Sequence, residues 1–350
     1  MFYYNYYKNL FKTYGKAFIK NKVVDPQLSP YLKIGIINPS IGTSNLGDLI
    51  IYEAVSKELR KIYPDDFFTN YPSQLNTNYE GKRLMAENDH LFVSGTNLLM
   101  SNMDMQSQWK IDPGHKFFLK NKILLMGVGW WQYQNKPNRY TSDLYKSIFD
   151  QDHLHSVRDS YTCEMLKEIG INNVVNTTCP TLWDLSPELC KRIPQKKNSK
   201  VITTLTFYKA DKELDKRLLD ILVDNYETVY LWVQGFDDVN YLHDIFPRAD
   251  RIKLVAPTIE AYNEILEDPL VEYLGTRLHA GVRALQKGVR TLIVAVDNRA
   301  VEIAKDTNLN VIKRQNIEEA FNFIDQPYIT EIKLPVENIK TWKENLTKKL

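Results

Sequence analysis

The chain has 350 residues, 43% of them hydrophobic and 25% charged, which suits a globular protein with two domains of roughly 150 residues each. Lys and Arg total 45 against 43 Asp and Glu, a formal net charge of +2. That balance excludes a protein that coats nucleic acid by charge alone, and the composition excludes disorder, collagen or coiled coil as a description of the whole.

Residues 1–22 stand apart. Lys8, Lys12, Lys16 and Lys20 recur every four residues, while Tyr3, Tyr7, Leu10, Phe11, Tyr14 and Phe18 fall on roughly the opposite side of a helical wheel. Such a helix either lies at an anionic membrane surface or packs on its own domain with its lysines in water. The segment lacks the apolar stretch of a signal peptide, and the longest apolar run, residues 123–131, is too short to span a membrane. A cytoplasmic protein is expected, peripheral at the inner face of the membrane where residues 1–22 take the first of these courses. Cys163, Cys179 and Cys190 have no metal-ligand spacing and are expected to be reduced thiols.

From Lys33 the pattern alternates. Residues 33–39 read as a strand, and Asn45 or Asp48 starts a helix through IIYEAVSKELRKIY. Residues 90–95 and 122–129 are almost wholly apolar and end in glycine, as strands of a buried parallel sheet do. Residues 153–158 form another strand before the helix DSYTCEMLKEIG, which Gly170 caps. The prolines and lysines between Pro180 and Lys200 read as a linker. Strands then recur at 201–207, 228–235, 251–257, 271–275, 290–296 and 309–314, with helices between them, and a last helix follows Pro335. Repeated strand–helix units imply an α/β fold of two doubly wound, Rossmann-like halves. Ligands of such sheets bind beyond the carboxyl ends of the strands.

The sharpest chemical signal is EYLGTRLHAGVRAL. Thr276 is expected as the N-cap, so Arg277, Leu278 and His279 open a helix and an anion site. His279 beside Arg277 is suited to proton transfer near neutral pH, unless Arg277 pairs with a carboxylate and His279 is structural. Arg158 precedes the helix capped by Asp159 or Ser160, and its side chain is expected at the same cleft edge. In SIGTSNLGDLI the residues Gly42, Asn45 and Gly47 permit a tight turn with Asp48 at the helix start, which is neither a P-loop nor GxGxxG. Trp130, Trp131 and Tyr133 follow a glycine-ended strand and either stack on a sugar or cover the core. His153 and His155 share a strand face without an evident third ligand.

In family order, NLGD, MGVG, the VRD segment, CPTLW, GTRLHAGVRAL and VDNRAVEIAKDTNL resemble the polysaccharide pyruvyl transferase family over roughly residues 33–313. One departure is Ser94-Gly95-Thr96-Asn97, where the family often has a run of glycines. The resemblance implies a GT-B-like pair of domains facing across a cleft. The expected division is an acceptor-side domain over 23–185, a linker over 186–200, a donor-side domain over 201–330 and a C-terminal helix over 331–350. It implies transfer of pyruvyl from phosphoenolpyruvate to two hydroxyls of a sugar in a cell-surface polysaccharide precursor. His279, Arg277 and Asp48 are the expected catalytic residues. Arg158, Arg277, Leu278 and Arg299 are expected to hold the donor, and Asn45, Gly47, Asn97 and Trp131 the acceptor, which is a sugar or lipid-linked glycan. Phosphoenolpyruvate serves as co-substrate, and no metal, other cofactor or nucleic acid is expected. A nucleotide-sugar glycosyltransferase of the same architecture is the alternative, and a non-catalytic glycan-binding protein is a further one.

Overall fold

The structure, a computed structural model, describes residues 30–347. The expected helix over residues 1–22 lies outside the described residues. Lys33 to the C-terminus gathers around two parallel sheets of six strands each.

The first sheet comprises β1 (Lys33–Asn38), β2 (Phe67–Pro72), β3 (His90–Leu99), β4 (Ile123–Trp130), β5 (His155–Val157) and β6 (Val174–Asn176), in the order β2-β1-β3-β4-β5-β6. Its central strand β4 buries every residue, because helices cover both faces. These helices are α1 (Leu46–Ile62), α2 (Tyr79–Ala86), α3 (Pro113–Phe118), α4 (Arg139–Ile148) and α5 (Ser160–Glu168). Asn45 caps α1 by accepting from the Gly47 N–H, and Asp159 caps α5 by accepting from the Thr162 N–H. Gly170, at φ +84, lets its own N–H close the end of α5 on the Lys167 carbonyl.

The second sheet comprises β7 (Lys200–Thr203), β8 (Thr228–Trp232), β9 (Ile252–Val255), β10 (Val271–Gly275), β11 (Thr291–Ala295) and β12 (Val311–Lys313). Its order, β12-β11-β10-β7-β8-β9, is that of a Rossmann sheet, whereas the first sheet follows the flavodoxin-like pattern. Helices α7 (Lys212–Asn225), α8 (Asp238–Ile245), α9 (Ile259–Ile265), α10 (Leu278–Gln286), α11 (Asn298–Thr307) and α12 (Ala320–Asp325) cover it. The fold is therefore α/β with two doubly wound halves.

The segment expected to be a bare linker is not bare. It holds a short 3₁₀ turn at Pro180–Leu182 and helix α6 (Pro187–Arg192), capped by Ser186. Cys190 and Ile193 anchor it in the core. The last helix, α13 (Val336–Thr347), packs against the first half, where the buried Trp342 donates its indole N–H to the Leu154 carbonyl at 2.9 Å. Among the described residues no helix is long and apolar enough to cross a membrane.

Candidate functional site

Each sheet reverses its strand order at one place, between β1 and β3 in the first and between β7 and β10 in the second. Loops leaving the carboxyl ends of adjacent strands part there and open a crevice. The segments at the two crevices meet. The Leu46 N–H donates to the Gln234 carbonyl at 3.1 Å, and the Gln234 amide donates to Asn45 Oδ1 at 3.0 Å. Tyr133 donates to Glu302 at 2.6 Å and Asn298 to the Trp130 carbonyl at 3.3 Å.

A small cavity of about 20 Å³ lies at this junction, lined by Asn45, Tyr208, Gln234, Arg277, Leu278, His279, Asp297 and Arg299 among others. It has room for about one water. Arg277 is almost wholly buried. Its Nε donates to the Leu205 carbonyl at 2.6 Å, Nη2 to Asp238 at 2.8 Å, and Nη1 reaches Asn45 Oδ1 at 3.5 Å. Gly235 is required here, since a Cβ would stand 2.7 Å from Arg277 Nη2. Thr276 is not the helix cap. Its hydroxyl is drawn away to the Thr204 carbonyl and Thr206, so Arg277 holds the cap position without a side-chain cap bond.

His279 faces Cys179, with Nε2 3.9 Å from Sγ. Burial, then the charges of Arg299 and Arg158, push its pKa down to about 3. The imidazole is thus neutral at pH 7 in the free protein, not half-protonated as its type alone suggests. Arg299 forks onto Asp297, with Nη2 at 2.7 Å from Oδ2, and reaches the Tyr208 hydroxyl at 3.3 Å. Burial raises the Asp297 pKa, but the charge and hydrogen bonds of Arg299 outweigh it and hold the carboxyl below its usual range.

A second cavity, of about 380 Å³, shares Asn45, Tyr208, Asp297 and Arg299 with the first and adds Asp48, Thr96, Asn97, Trp131 and Lys209. Asp48 accepts from the Thr43 hydroxyl at 2.9 Å, yet burial lifts its pKa to about 6. Thr96 adopts φ +127, a conformation natural to glycine, beside a register shift between β3 and β4. The departure Ser94-Gly95-Thr96-Asn97 therefore keeps a glycine-type turn without the glycine.

A model of the polysaccharide pyruvyl transferase family matches residues 45–298. The chain belongs to that family. No curated protein matches it in sequence. Among solved structures, the apo lipopolysaccharide outer core galactosyltransferase WaaB is 11% identical, with TM-score 0.47 over 91% of this chain and 100% of its own. A UDP-N-acetylglucosamine 2-epimerase is 12% identical, with TM-score 0.43 over 90% of each chain. Glycyrrhiza uralensis UGT73P12 complexed with glycyrrhetinic acid 3-O-monoglucuronide is 10% identical, with TM-score 0.40 over 84% of this chain and 87% of its own. The fold assignment rests on the strand orders, not on these values.

In this pyruvyl transferase family member the expected residues do not all reach open space. Arg277, Leu278, His279, Arg299 and Asn45 line the small cavity, and Asp48, Asn97, Trp131, Arg299 and Asn45 the larger one. Arg158 lines neither. It lies buried under Gly129, donating to Asn97 Oδ1 at 2.7 Å and Asp159 at 3.0 Å, and it acts on His279 through its charge. The expectation that it projects into the cleft is corrected, because Asn97 and Asp159 draw it back. Gly47 lies beneath the Gln234 amide and lines neither cavity, so its place is structural: a Cβ would stand 2.7 Å from Gln234 Nε2. His153 is held by Asp150 at 3.0 Å, and His155 donates from Nε2 to the Asp150 carbonyl at 2.9 Å, so both are occupied structurally. Sequence reasoning missed Tyr208, Gln234 and Asp297. Each lies at or just beyond the carboxyl end of an expected strand, and Asp297 also falls within the VDNRAVEIAKDTNL segment; these were the signals to hand.

Proposed function

We propose that the chain transfers the pyruvyl group of phosphoenolpyruvate onto two hydroxyls of a sugar or lipid-linked glycan in a cell-surface polysaccharide precursor, closing a cyclic ketal. One observation carries this reading in a member of this family. Arg277 and Arg299 flank a cavity with His279 at its wall, where the two halves meet, and Arg158 adds its charge from behind.

The donor carries a carboxylate and a phosphate, and guanidinium groups match both as planar forks. Arg299 is the group free to exchange partners, since its side chain is 15% exposed and, among the described residues, bound by Asp297 and Tyr208 alone, while three hydrogen bonds fix Arg277. The cavity is too small for the donor as it stands, so Arg299 and Tyr208 turn outward when it enters. A proton is delivered to the donor's methylene carbon, which becomes a methyl, and positive charge develops on the adjoining carbon. A sugar hydroxyl forms a bond to that carbon and loses its proton. The carbon–oxygen bond to phosphate then breaks, and the second hydroxyl adds in its place. Of the two protons the hydroxyls surrender, one balances the methyl and the other leaves on phosphate.

His279 is the proton carrier in this scheme. The donor's negative charges offset the repulsion of Arg299 and Arg158, and so raise the imidazole pKa once the complex forms. The pH profile of kcat/KM, which reports the free enzyme, then lacks an inflection from His279, and that of kcat contains one. The test is release of phosphate from phosphoenolpyruvate that depends on a glycan acceptor. His279→Ala is expected to lower turnover by about 10²–10⁴-fold. Full activity of that variant, or stabilisation by nucleotide sugars and none by phosphoenolpyruvate, would sink the reading.

A further inference from the structure

The small cavity is lined by a residue with one buried polar atom that nothing among the described residues satisfies. Gln234 is 3% exposed, and its Oε1 has no hydrogen-bond partner. Its orientation is fixed by a chain of donors. The main-chain N–H of Gly47 points at the Asn45 side chain, so the atom facing it is the oxygen, Oδ1, at 3.2 Å. That oxygen in turn requires a donor from Gln234, so Nε2 faces Asn45 at 3.0 Å. A flipped Gln234 amide would set two carbonyl oxygens against each other. The Gln234 carbonyl also accepts from the Leu46 N–H, which ties the residue across both halves. Gln234 lines the cavity, and its Oε1 is left buried and without a donor among the described residues.

A buried acceptor without a donor costs on the order of 1–3 kcal/mol, and natural proteins satisfy such atoms with a water, an ion or a group that enters the site. Phosphoenolpyruvate offers only acceptors at neutral pH, so it does not complete this atom. A hydroxyl does. The small cavity shares Asn45, Tyr208, Asp297 and Arg299 with the larger one, so a sugar seated beside Trp131 and Asn97 lies next to it, and the outward turn of Arg299 and Tyr208 that admits the donor would join the two.

We infer that Gln234 is an acceptor-binding residue whose Oε1 takes a hydrogen bond from one sugar hydroxyl and directs that sugar towards the donor beside His279. The assignment rests on the reading above that a sugar hydroxyl is the nucleophile. It adds the residue that distinguishes an acceptor with that hydroxyl from one without it.

Calorimetric binding tests this, using phosphoenolpyruvate and a panel of methyl hexopyranosides with their monodeoxy forms on the full chain. The wild type is expected to bind one monodeoxy glycoside about tenfold more weakly than its parent. Gln234→Met, similar in size and without the acceptor, is expected to bind the parent about tenfold more weakly and to treat parent and deoxy form alike. Its affinity for phosphoenolpyruvate falls by a smaller factor than its affinity for the glycoside. Gln234→Ala also removes the oxygen and is expected to treat parent and deoxy form alike, which covers the case in which the methionine variant fails to fold. Undiminished discrimination by Gln234→Met overturns the inference, as does an equal loss of phosphoenolpyruvate affinity or a wild type indifferent to every missing hydroxyl. A wild type that releases no phosphate from phosphoenolpyruvate with any bound glycoside overturns the donor reading instead, and the glycoside binding comparison still decides Gln234.

Discussion

Asp48 is a carboxyl buried in the first turn of α1, with a pKa raised from 3.8 to about 6 by burial. The helix N-terminus and the Thr43 hydroxyl favour the charged form but do not offset the lost water. A raised folded-state pKa means that the native chain binds the extra proton. The stability this confers is complete below about pH 3.8 and is lost as pH rises through about 6. At about 1.36 kcal/mol per unit, the cost at pH 8 is roughly 3 kcal/mol as an upper figure. Asp48→Asn should therefore raise unfolding stability by about 1–3 kcal/mol at pH 8 and leave it nearly unchanged at pH 3.5. It should also lower turnover, because the larger cavity loses the one carboxyl that the first half supplies to it among the described residues. Urea denaturation at the two pH values reads the first, and equal gains at both would show that ionisation is not the cause. His279 has the opposite sign. With its pKa depressed to about 3, its contribution is present above pH 6.5 and is lost as pH falls towards 3.

At the scale of elements, the end of β4 shows what its glycines accomplish. A Cβ on Gly129 would stand 2.1 Å from Arg158 Cζ, so the bare strand leaves the space that the guanidinium occupies as it donates to Asn97. Gly129→Ala should push Arg158 aside, cost about 1–3 kcal/mol by overpacking, and reduce phosphoenolpyruvate turnover at least tenfold in a chain that still folds. Wild-type turnover would mean that Arg158 serves packing alone. The sequence showed these strands because β3 and β4 are buried on both faces and read as unbroken apolar runs. Strand β2 is half exposed and β6 is three residues long, so neither carries that pattern, and both passed unseen. Helix α6 passed unseen as well, although Ser186 and Pro187 spell a start signal. In the site, the glycine-ended strands pointed to the right loops. The bond of Arg158 to Asn97, the charge of Arg158 on His279 and the orientation of Gln234 against Asn45 depend on contacts across more than 60 residues of chain. A local pattern does not encode such contacts.

The whole molecule is held together by traffic in both directions between its halves. Residues 180–200 carry the chain out of the first half, and α13 brings it back. Trp342 is 0% exposed, edge-on to Phe92 and Trp183 at 6.4 and 5.8 Å, and its neighbour Lys343 pairs with Glu58 of α1 at 2.5 Å. The Leu154 N–H donates to Asn345 at 2.7 Å, so one residue ahead of β5 is clasped through both its N–H and its carbonyl. The last helix is thus part of the first half, although it follows the second in sequence. None of its side chains lines either cavity. Trp342→Ala removes an indole, its hydrogen bond and two ring contacts, and should cost about 3–5 kcal/mol. The affinity of the remaining folded protein for phosphoenolpyruvate should be unchanged. Amide exchange resolved along the chain separates the possibilities: faster opening is expected in α1, β1, β3 and β5, and little change in β10 and α10. A cost below about 1 kcal/mol, or equal loosening of both halves, would mean that α13 decorates the fold instead of completing its first sheet.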